Sequence, residues 1–249
     1  MAILVTRPEP DNAATAAALV ARGYRVLSAP MLRFEALAMP AEPDARYAAI
    51  IVTSANALRA IADQPVLAGL RKLRLYAVGE RTASVADELG FRSVVSGGGD
   101  AAALRDAVIA HEGKPGKKKS DDPLLYLAGA DLARDLAGDL GAAGFTVVTH
   151  TAYRMVPVAT LPRDALAAFA AGEIAAILHY SRRSARAFVS AAQADGVETT
   201  ALALPHVCLS EAVATELRDR GAARTVVAGS PDENSLFTAL GRAIPPGSR

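Results

Sequence analysis

The sequence predicts an α/β protein of two similar domains, each a five-stranded, mainly parallel, doubly wound sheet flanked by helices. Three observations predict it. Short apolar runs alternate with alanine-rich helical stretches along the chain. The runs lack the in-and-out alternation of a half-exposed sheet, as expected of parallel strands covered on both faces. The chain is also written twice, in three pairs of segments. ILVTRPEPDNAATAAALVARGYRVL from Ile3 is echoed by LLYLAGADLARDLAGDLGAAGFTVV from Leu124, and IIVTSANALRA from Ile50 by ILHYSRRSARA from Ile177. VGERTASVADELG from Val78 is echoed by LSEAVATELRDRG from Leu209. The pairs keep their order while their offsets drift only from 121 to 127 to 131, so duplication of one α/β unit explains them better than coincidence.

The expected elements follow in order. Ile3–Val5 opens the first strand, the turn TRPEPDN leads into an alanine-rich helix, and Tyr24–Ser28 follows that helix. Ala49–Val52 and Leu75–Val78 are strands, each leading through a polar turn into a helix, and Arg92–Ser96 follows the second. The second copy supplies Leu124–Leu127, Phe145–Thr149, Ala175–Leu178, Val207–Leu209 and Arg224–Ala228. Gly23, Gly90, Gly144 and Gly221 each stand where a helix gives way to a strand, the usual stop signal. The expectation is ten strands in two sheets of five. Between the copies, HEGKPGKKKSDDP from His111 to Pro123 reads as a linker or solvated loop, and on the residues alone the domains divide there.

Composition narrows the function classes. Of 249 residues 51% are hydrophobic, enough for a core in each domain, but only 5% are aromatic, so those cores must be built of Ala, Leu and Val. A formal net charge of +1 gives no overall grip on nucleic acid or an anionic membrane, so neither is an expected partner. The apolar start of MAILVTRPEP is too short for a signal-peptide core, and no run approaches a membrane span, so a cytoplasmic protein is expected. The single cysteine, Cys208, lies in the apolar run HVCLS and reads as a buried thiol rather than a nucleophile.

In open α/β sheets ligands bind beyond the carboxyl ends of the strands, near helix N-termini. The turns there are TRPEPDN (6–12), TSAN (53–56), GERTA (79–83), AGADLA (128–133), YSRRSA (180–185) and SEAVA (210–214). They carry hydroxyls that serve equally as helix caps or as ligand donors, and no paired carboxylates. His111, His150, His179 and His206 show no metal-ligand spacing, SGGGD at 96–100 is not a phosphate loop, and no GxSxG elbow occurs. No metal or cofactor is expected. What remains are hydroxyls, backbone amides and arginines, suited to a carboxylate or phosphate ligand.

TRP at 6–8, TSANA at 53–57, YAVGERTA at 76–83, LYLAGADLARDLAGDLGAAGF at 125–145 and YR at 153–154, in this order and spacing, resemble uroporphyrinogen-III synthases. The resemblance implies two similar α/β domains joined by a two-stranded connection, with the active-site cleft between them. It moves the domain cut: residues 1–34 plus 158–249 form one domain, 39–152 the other, and 35–38 and 153–157 the connections. The lysine-rich segment is then a surface loop. The implied reaction is cyclisation of the linear tetrapyrrole hydroxymethylbilane to uroporphyrinogen III, with loss of water and inversion of ring D. The terminal hydroxyl leaves to give an azafulvene, the substituted α-carbon of ring D attacks to form a spiro intermediate, and this fragments and recloses with ring D reversed. Because the substrate cyclises unaided to the wrong isomer, catalysis rests chiefly on holding one conformer.

Carried onto this chain, the resemblance makes Tyr153 the catalytic candidate, since a protonated phenol can donate to the departing hydroxyl; the alternative is a tyrosine packed at a domain junction. Ser54, Ala55, Asn56, Thr82, Ala83, Ser181, Arg182, Arg183 and Ser210 are expected to take substrate carboxylates through backbone N–H groups and hydroxyls, with Arg7 as an ion-pair donor. Ser54/Ser181 and Thr82/Val213 are expected on opposite walls of the cleft. The first domain departs from the family pattern at Glu211 and Val213, where a hydroxyl is missing. A monomer is expected, with transient contact to hydroxymethylbilane synthase because the substrate is unstable. A non-enzymatic binding protein for an anionic metabolite and a flavodoxin-like nucleotide binder fit the same turns.

Overall fold

A computed structural model of the protein describes residues 1–40, 46–113, 120–132 and 134–244. The chain begins β1 (Ala2–Val5), α1 (Asp11–Val20), β2 (Arg25–Ser28) and β3 (Leu32–Ala36). It continues β4 (Ala49–Val52), α2 (Ala55–Ile61), α3 (Leu67–Leu70), β5 (Arg74–Ala77), α4 (Glu80–Glu88), β6 (Val94–Ser96) and α5 (Ala101–Glu112). Next come β7 (Leu124–Gly129), α6 (Leu136–Ala142), β8 (Val147–Pro157), α7 (Arg163–Ala170), β9 (Ile174–His179), α8 (Arg182–Ala194) and α9 (Glu198–Ala203). The chain closes with β10 (Pro205–Cys208), α10 (Glu211–Arg218), β11 (Arg224–Val227) and α11 (Glu233–Ala243).

These elements fall into two compact units, Met1–Phe34 with Val156–Arg249, and Glu35–Met155. The first unit holds a five-stranded sheet in the order β11-β10-β9-β1-β2, parallel throughout. The second holds β3-β8-β7-β4-β5-β6, in which β4 through β8 run parallel, except that the start of β3 and the end of β8 belong to the first unit. β3 corrects the expectation of ten strands in two sheets of five: the second sheet has six. LRFEA alternates apolar and charged residues, the period of a strand with one face covered, and it pairs with an overlong β8. The pairing is antiparallel, because Leu37 N–H donates to Ala152 while Val158 N–H, just past β8, donates back to Met31. The second unit also runs through the lysine-rich segment, whose residues 114–119 lie outside the described ones. β7, directly after it, pairs with β4 inside the sheet, so the chain does not divide there.

The duplication is visible in how helices end. Gly23, Gly90, Gly144 and Gly221 have φ of +86°, +84°, +86° and +93°, where a side chain would be strained. Past each, an N–H reaches back five residues: Tyr24 to Leu19, Phe91 to Ala86, Phe145 to Leu140 and Ala222 to Leu217, at 3.0–3.2 Å. This tight stop turns the chain directly into the next strand. Each sheet buries its own core, around Ile3, Val5, Leu19, Leu178, Val207 and Leu240 in the first unit, and around Ile51, Tyr76, Leu104, Leu124, Tyr126 and Leu140 in the second.

The strand orders fix where a ligand can enter. From β1 the first sheet winds one way to β2, and from β9 it winds the other way through β10 to β11. In the second, β4 winds to β5 and β6, whereas β7 winds to β8. The winding therefore reverses between β1 and β9 and between β7 and β4. At such a reversal the crossing helices diverge and leave a crevice at the carboxyl edge.

Candidate active site

At the second unit's reversal, Thr53 follows β4 and its hydroxyl lies 3.1 Å from the Tyr126 phenol on β7. Burial raises the Tyr126 phenol above its ordinary range; the Thr53 hydrogen bond lowers it and nearby Tyr153 raises it further. Tyr153 is half-buried on β8 opposite Gly129, the last residue of β7, and its carbonyl accepts the Ala130 N–H at 2.9 Å. A Cβ on Gly129 would stand 2.8 Å from the ring Cζ of Tyr153 and 2.9 Å from its hydroxyl oxygen. Glycine is required here because the tyrosine ring fills the space a side chain would take.

At the first unit's reversal, Arg7 follows β1 and Tyr180 follows β9. The Arg7 guanidinium lies 4.5 Å over the Tyr180 ring. It donates to Asp11 at 2.9 Å and to Glu233 at 3.1 Å. Arg7 therefore already faces two carboxylates of its own unit. Tyr180 donates to Glu233 at 2.8 Å, and burial, reinforced by that carboxylate, pushes its phenol well up.

The remaining predicted residues sit at helix starts. Ser54 and Ser181 are extended N-caps: Ser54 Oγ accepts the Asn56 N–H at 3.2 Å and Ser181 Oγ the Ser184 N–H at 3.1 Å. Both hydroxyls thus do the capping work of their serines. Ala55 is buried, and the Asn56 side chain accepts from Arg59 at 2.8 Å. Arg182 is exposed and Arg183 half-buried. Ser210 is extended like the other caps but makes no side-chain cap bond to α10. The Thr82 side chain is buried in the first turn of α4, as is Val213 in that of α10; Ala83 is buried too. The N–H groups of Thr82 and Ala83 bond to Gly79, as those of Val213 and Ala214 bond to Ser210, so the two turns share one geometry and the valine fills the place of the threonine. Glu211 pairs with Arg218 on the exposed face of α10.

Within the second unit, Ser54 and Tyr153 thus come to the same reversal, with Thr82 one strand further along. Within the first, Arg7 and Ser181 do, with Ser210 one strand further. Sequence reasoning missed Thr53, Tyr126, Gly129, Thr15, Tyr180 and Glu233. The first five stand in the quoted repeat segments, but only the strand order brings them to the reversals. Glu233 follows β11, and nothing in its local pattern marks it.

His179, His206 and Cys208 face inward. His179 Nε2 stands 3.0 Å from His206 Nδ1, and His179 Nδ1 stands 3.3 Å from the Thr6 hydroxyl, which donates to the Leu178 carbonyl at 2.7 Å. Burial holds His179 well below the usual histidine range and lowers His206 to about 4, the Ala201 carbonyl opposing the latter shift. Burial likewise pushes the Cys208 thiol up to about 12. Among the described residues no three His, Cys, Asp or Glu gather as a metal site, and no helix is long and apolar enough to cross a membrane.

Residues 13–238 match the family model described as uroporphyrinogen-III synthase HemD. The chain belongs to the uroporphyrinogen-III synthase family. Members of this family act in tetrapyrrole synthesis, and the family gives the chain its function as a uroporphyrinogen-III synthase. The fold agrees. A uroporphyrinogen-III synthetase from Helicobacter pylori 26695 is 17% identical with a TM-score of 0.64, over 96% of this chain and 97% of that one. A mutant uroporphyrinogen III synthase from the extremely thermophilic bacterium Thermus thermophilus is 16% identical with a TM-score of 0.55, over 98% of this chain and 99% of that one. No curated protein sequence matches the chain. In synthase terms, the catalytic candidate Tyr153 stands at one winding reversal and the arginine candidate Arg7 at the other.

Proposed function

We propose that this synthase acts as a hydro-lyase on hydroxymethylbilane, with Tyr153 donating a proton to the departing hydroxyl. The observation that carries the reading is Tyr153 itself, half-buried over Gly129 beside the buried Tyr126 at the carboxyl edge. As the ring nitrogen lone pair expels the terminal hydroxyl, the phenol proton goes to the leaving oxygen and water departs, leaving a protonated azafulvene and the phenolate. The substituted α-carbon of ring D attacks the azafulvene, the spiro intermediate reopens and closes through the unsubstituted α-carbon of the reversed ring, and the proton lost from that carbon restores the phenol. Steering of this kind needs one phenol and a rigid hold on the chain more than an acid–base array.

The hold is assigned to helix starts and the turns before them. Backbone N–H groups at α2, α4, α8 and α10, with the hydroxyls of Ser54, Ser181 and Ser210, are the candidate partners of substrate carboxylates. Thr82 and Ala83 shape the first turn of α4 rather than donate to the ligand, since their side chains are buried and their N–H groups bond to the Gly79 carbonyl. Arg182 and Arg183 supply positive charge at the start of α8. The protein works in this reading as a cytoplasmic monomer fed by a hydroxymethylbilane synthase.

The test supplies freshly made hydroxymethylbilane and separates the uroporphyrin isomers. The wild type is expected to give isomer III; isomer I alone would end the synthase reading, and tight anion binding without turnover would favour a binding protein. Tyr153→Phe is expected to slow isomer III formation severalfold or more with the melting temperature kept. Unchanged kinetics would remove the phenol from the mechanism.

A further inference from the structure

In the first unit three donors converge on one carboxylate oxygen. Glu233 Oε1 accepts from Thr15 Oγ1 at 2.5 Å, from Tyr180 Oη at 2.8 Å and from Arg7 Nη1 at 3.1 Å. The donors come from α1, the end of β9 and the end of β1, the elements flanking the winding reversal. Thr15 is fully buried and the Arg7 side chain is 19% exposed, whereas the Glu233 side chain is 37% exposed. The donors therefore form a wall, and the carboxylate reaches them from the solvent side. Asp11 takes Arg7 Nη2 at 2.9 Å and the Tyr180 ring backs the guanidinium, while Nη1 faces the shared point and also donates to Thr15 Oγ1 at 3.3 Å, within the same set.

We propose that Arg7, Thr15 and Tyr180 form a binding site for a ligand carboxylate, and that Glu233 is a resident carboxylate that fills the site until the ligand displaces it. The identity of that ligand, a polycarboxylate tetrapyrrole, rests on the synthase reading; the site itself does not. The chemistry of the set is specific. A guanidinium, a phenol and a hydroxyl directed at one point suit an anion with acceptor oxygens, and charge-assisted bonds of this kind are the stronger class.

A resident carboxylate solves a problem that an empty site would create. In an empty site the proton of the buried Thr15 hydroxyl would lose its acceptor, and Arg7 Nη1 would keep only its 3.3 Å bond to Thr15 Oγ1, which carries a desolvation cost. Exchanging one carboxylate for another keeps every bond, so displacement needs only that Glu233 turn into water. As the first residue of α11, Glu233 keeps the favourable field of the helix N-terminus in either position. An incoming polyanion also repels it outward. The resident group lowers the apparent affinity by the fraction of time the site is filled.

Two measurements on the full chain test this. In Glu233→Ala, sodium acetate at about 0.2 M is expected to raise the melting temperature by roughly 3 °C beyond sodium chloride of equal ionic strength. Wild type should show no such difference, and adding Tyr180→Phe should shrink it. Equal shifts with acetate and chloride would overturn the carboxylate site. In the isomer assay, Glu233→Ala should lower KM severalfold, because the competitor is gone; KM unchanged or raised would overturn the displacement. If Glu233→Ala does not fold, Glu233→Gln replaces it: the amide oxygen still accepts from Thr15 and Tyr180 but lacks the charge facing Arg7, so KM should fall less. A wild type that makes only isomer I ends the synthase reading, while the acetate measurement still decides the site.

Discussion

At the carboxyl ends of its central strands the first unit carries Arg7 and Tyr180, and at the corresponding positions the second carries Ala128 and Thr53. The correspondence is structural as well as textual: Val5 stands opposite Leu178 in one sheet, and Tyr126 opposite Ile51 in the other, at the same repeat offsets. Below the edge the units differ again. Thr6, His179 and His206 form a buried polar chain where the second unit has Leu127, Val52 and Leu75. The second unit has polar groups on Tyr126 and Tyr153, with Gly129 making room, and buries Glu112 against Tyr76 and Arg74. Duplication has kept the packing, the helix stops and the place of the winding reversal, while one carboxyl edge carries Arg7 and the other Tyr153. The histidine and cysteine changes below copy the second unit into the first, and the glycine change removes a feature that the second unit alone carries.

The largest effect is expected where the second unit is most specialised. In Gly129→Ala the new Cβ would stand 2.8 Å from the Tyr153 ring, so the ring must move. If Tyr153 is the proton donor, a shift of this size is expected to lower kcat on the order of 10²-fold. The melting temperature should change by only a few degrees, because the ring is half-buried and can tilt. The comparison is sharpened in a Tyr153→Ala background, where Gly129→Ala should cost nothing further. A further loss there would assign the glycine some role other than making room for the ring.

Next in size is the acid response of the first unit. His206 is held near 4 when folded and titrates near 6.5 when unfolded, so the unfolded chain binds more protons between these values. Stability is therefore full above about pH 6.5 and is lost as the pH falls toward 4, by about 3 kcal/mol from this residue alone. His179, lowered by burial and by its partner, adds in the same direction. The double change His179→Val with His206→Leu copies the second unit and should flatten the stability profile between pH 6.5 and 4 in chemical denaturation. A slope that survives the substitution would place the acid response elsewhere.

How much of this was legible in the sequence follows from its range. Helix stops at Gly23, Gly90, Gly144 and Gly221 are local, since a positive φ at one residue decides them, and they read correctly. The continuous apolar strands likewise report burial on both faces. β3 alternates as LRFEA, but five residues between Pro30 and Pro40 are a weak signal until β8 extends to pair with them. The carboxyl-edge sites were legible only as a set of turns. Arg7 reads as a free cation because Asp11 and Glu233, which take it up, come to it through the helix and the strand order. Ser54 and Ser181 read as caps or as ligand donors; the structure puts both to work as caps, and Ser181 Oγ also stands 3.0 Å from Ser184 Oγ. Thr82 reads as a hydroxyl facing a ligand, yet its side chain is buried where Val213 stands in the other unit.

The smallest effect is expected at Cys208, where the second unit carries Ala77 at the same register. The thiol is fully buried, with Sγ 3.7 Å from the His206 carbonyl, and burial pushes its pKa up to about 12. A thiol in this state is almost wholly protonated at pH 8, and only the thiolate attacks alkylating reagents. Iodoacetamide should therefore leave the native protein unmodified at pH 8 and label it fully in denaturant. Cys208→Ala should cost about 1 kcal/mol through lost burial of one sulfur, with isomer III formation unchanged. The two measurements separate packing from chemistry. Rapid native labelling with loss of turnover would make Cys208 a reacting group, and the first unit would then differ from the second in chemistry below its edge as well as in polarity.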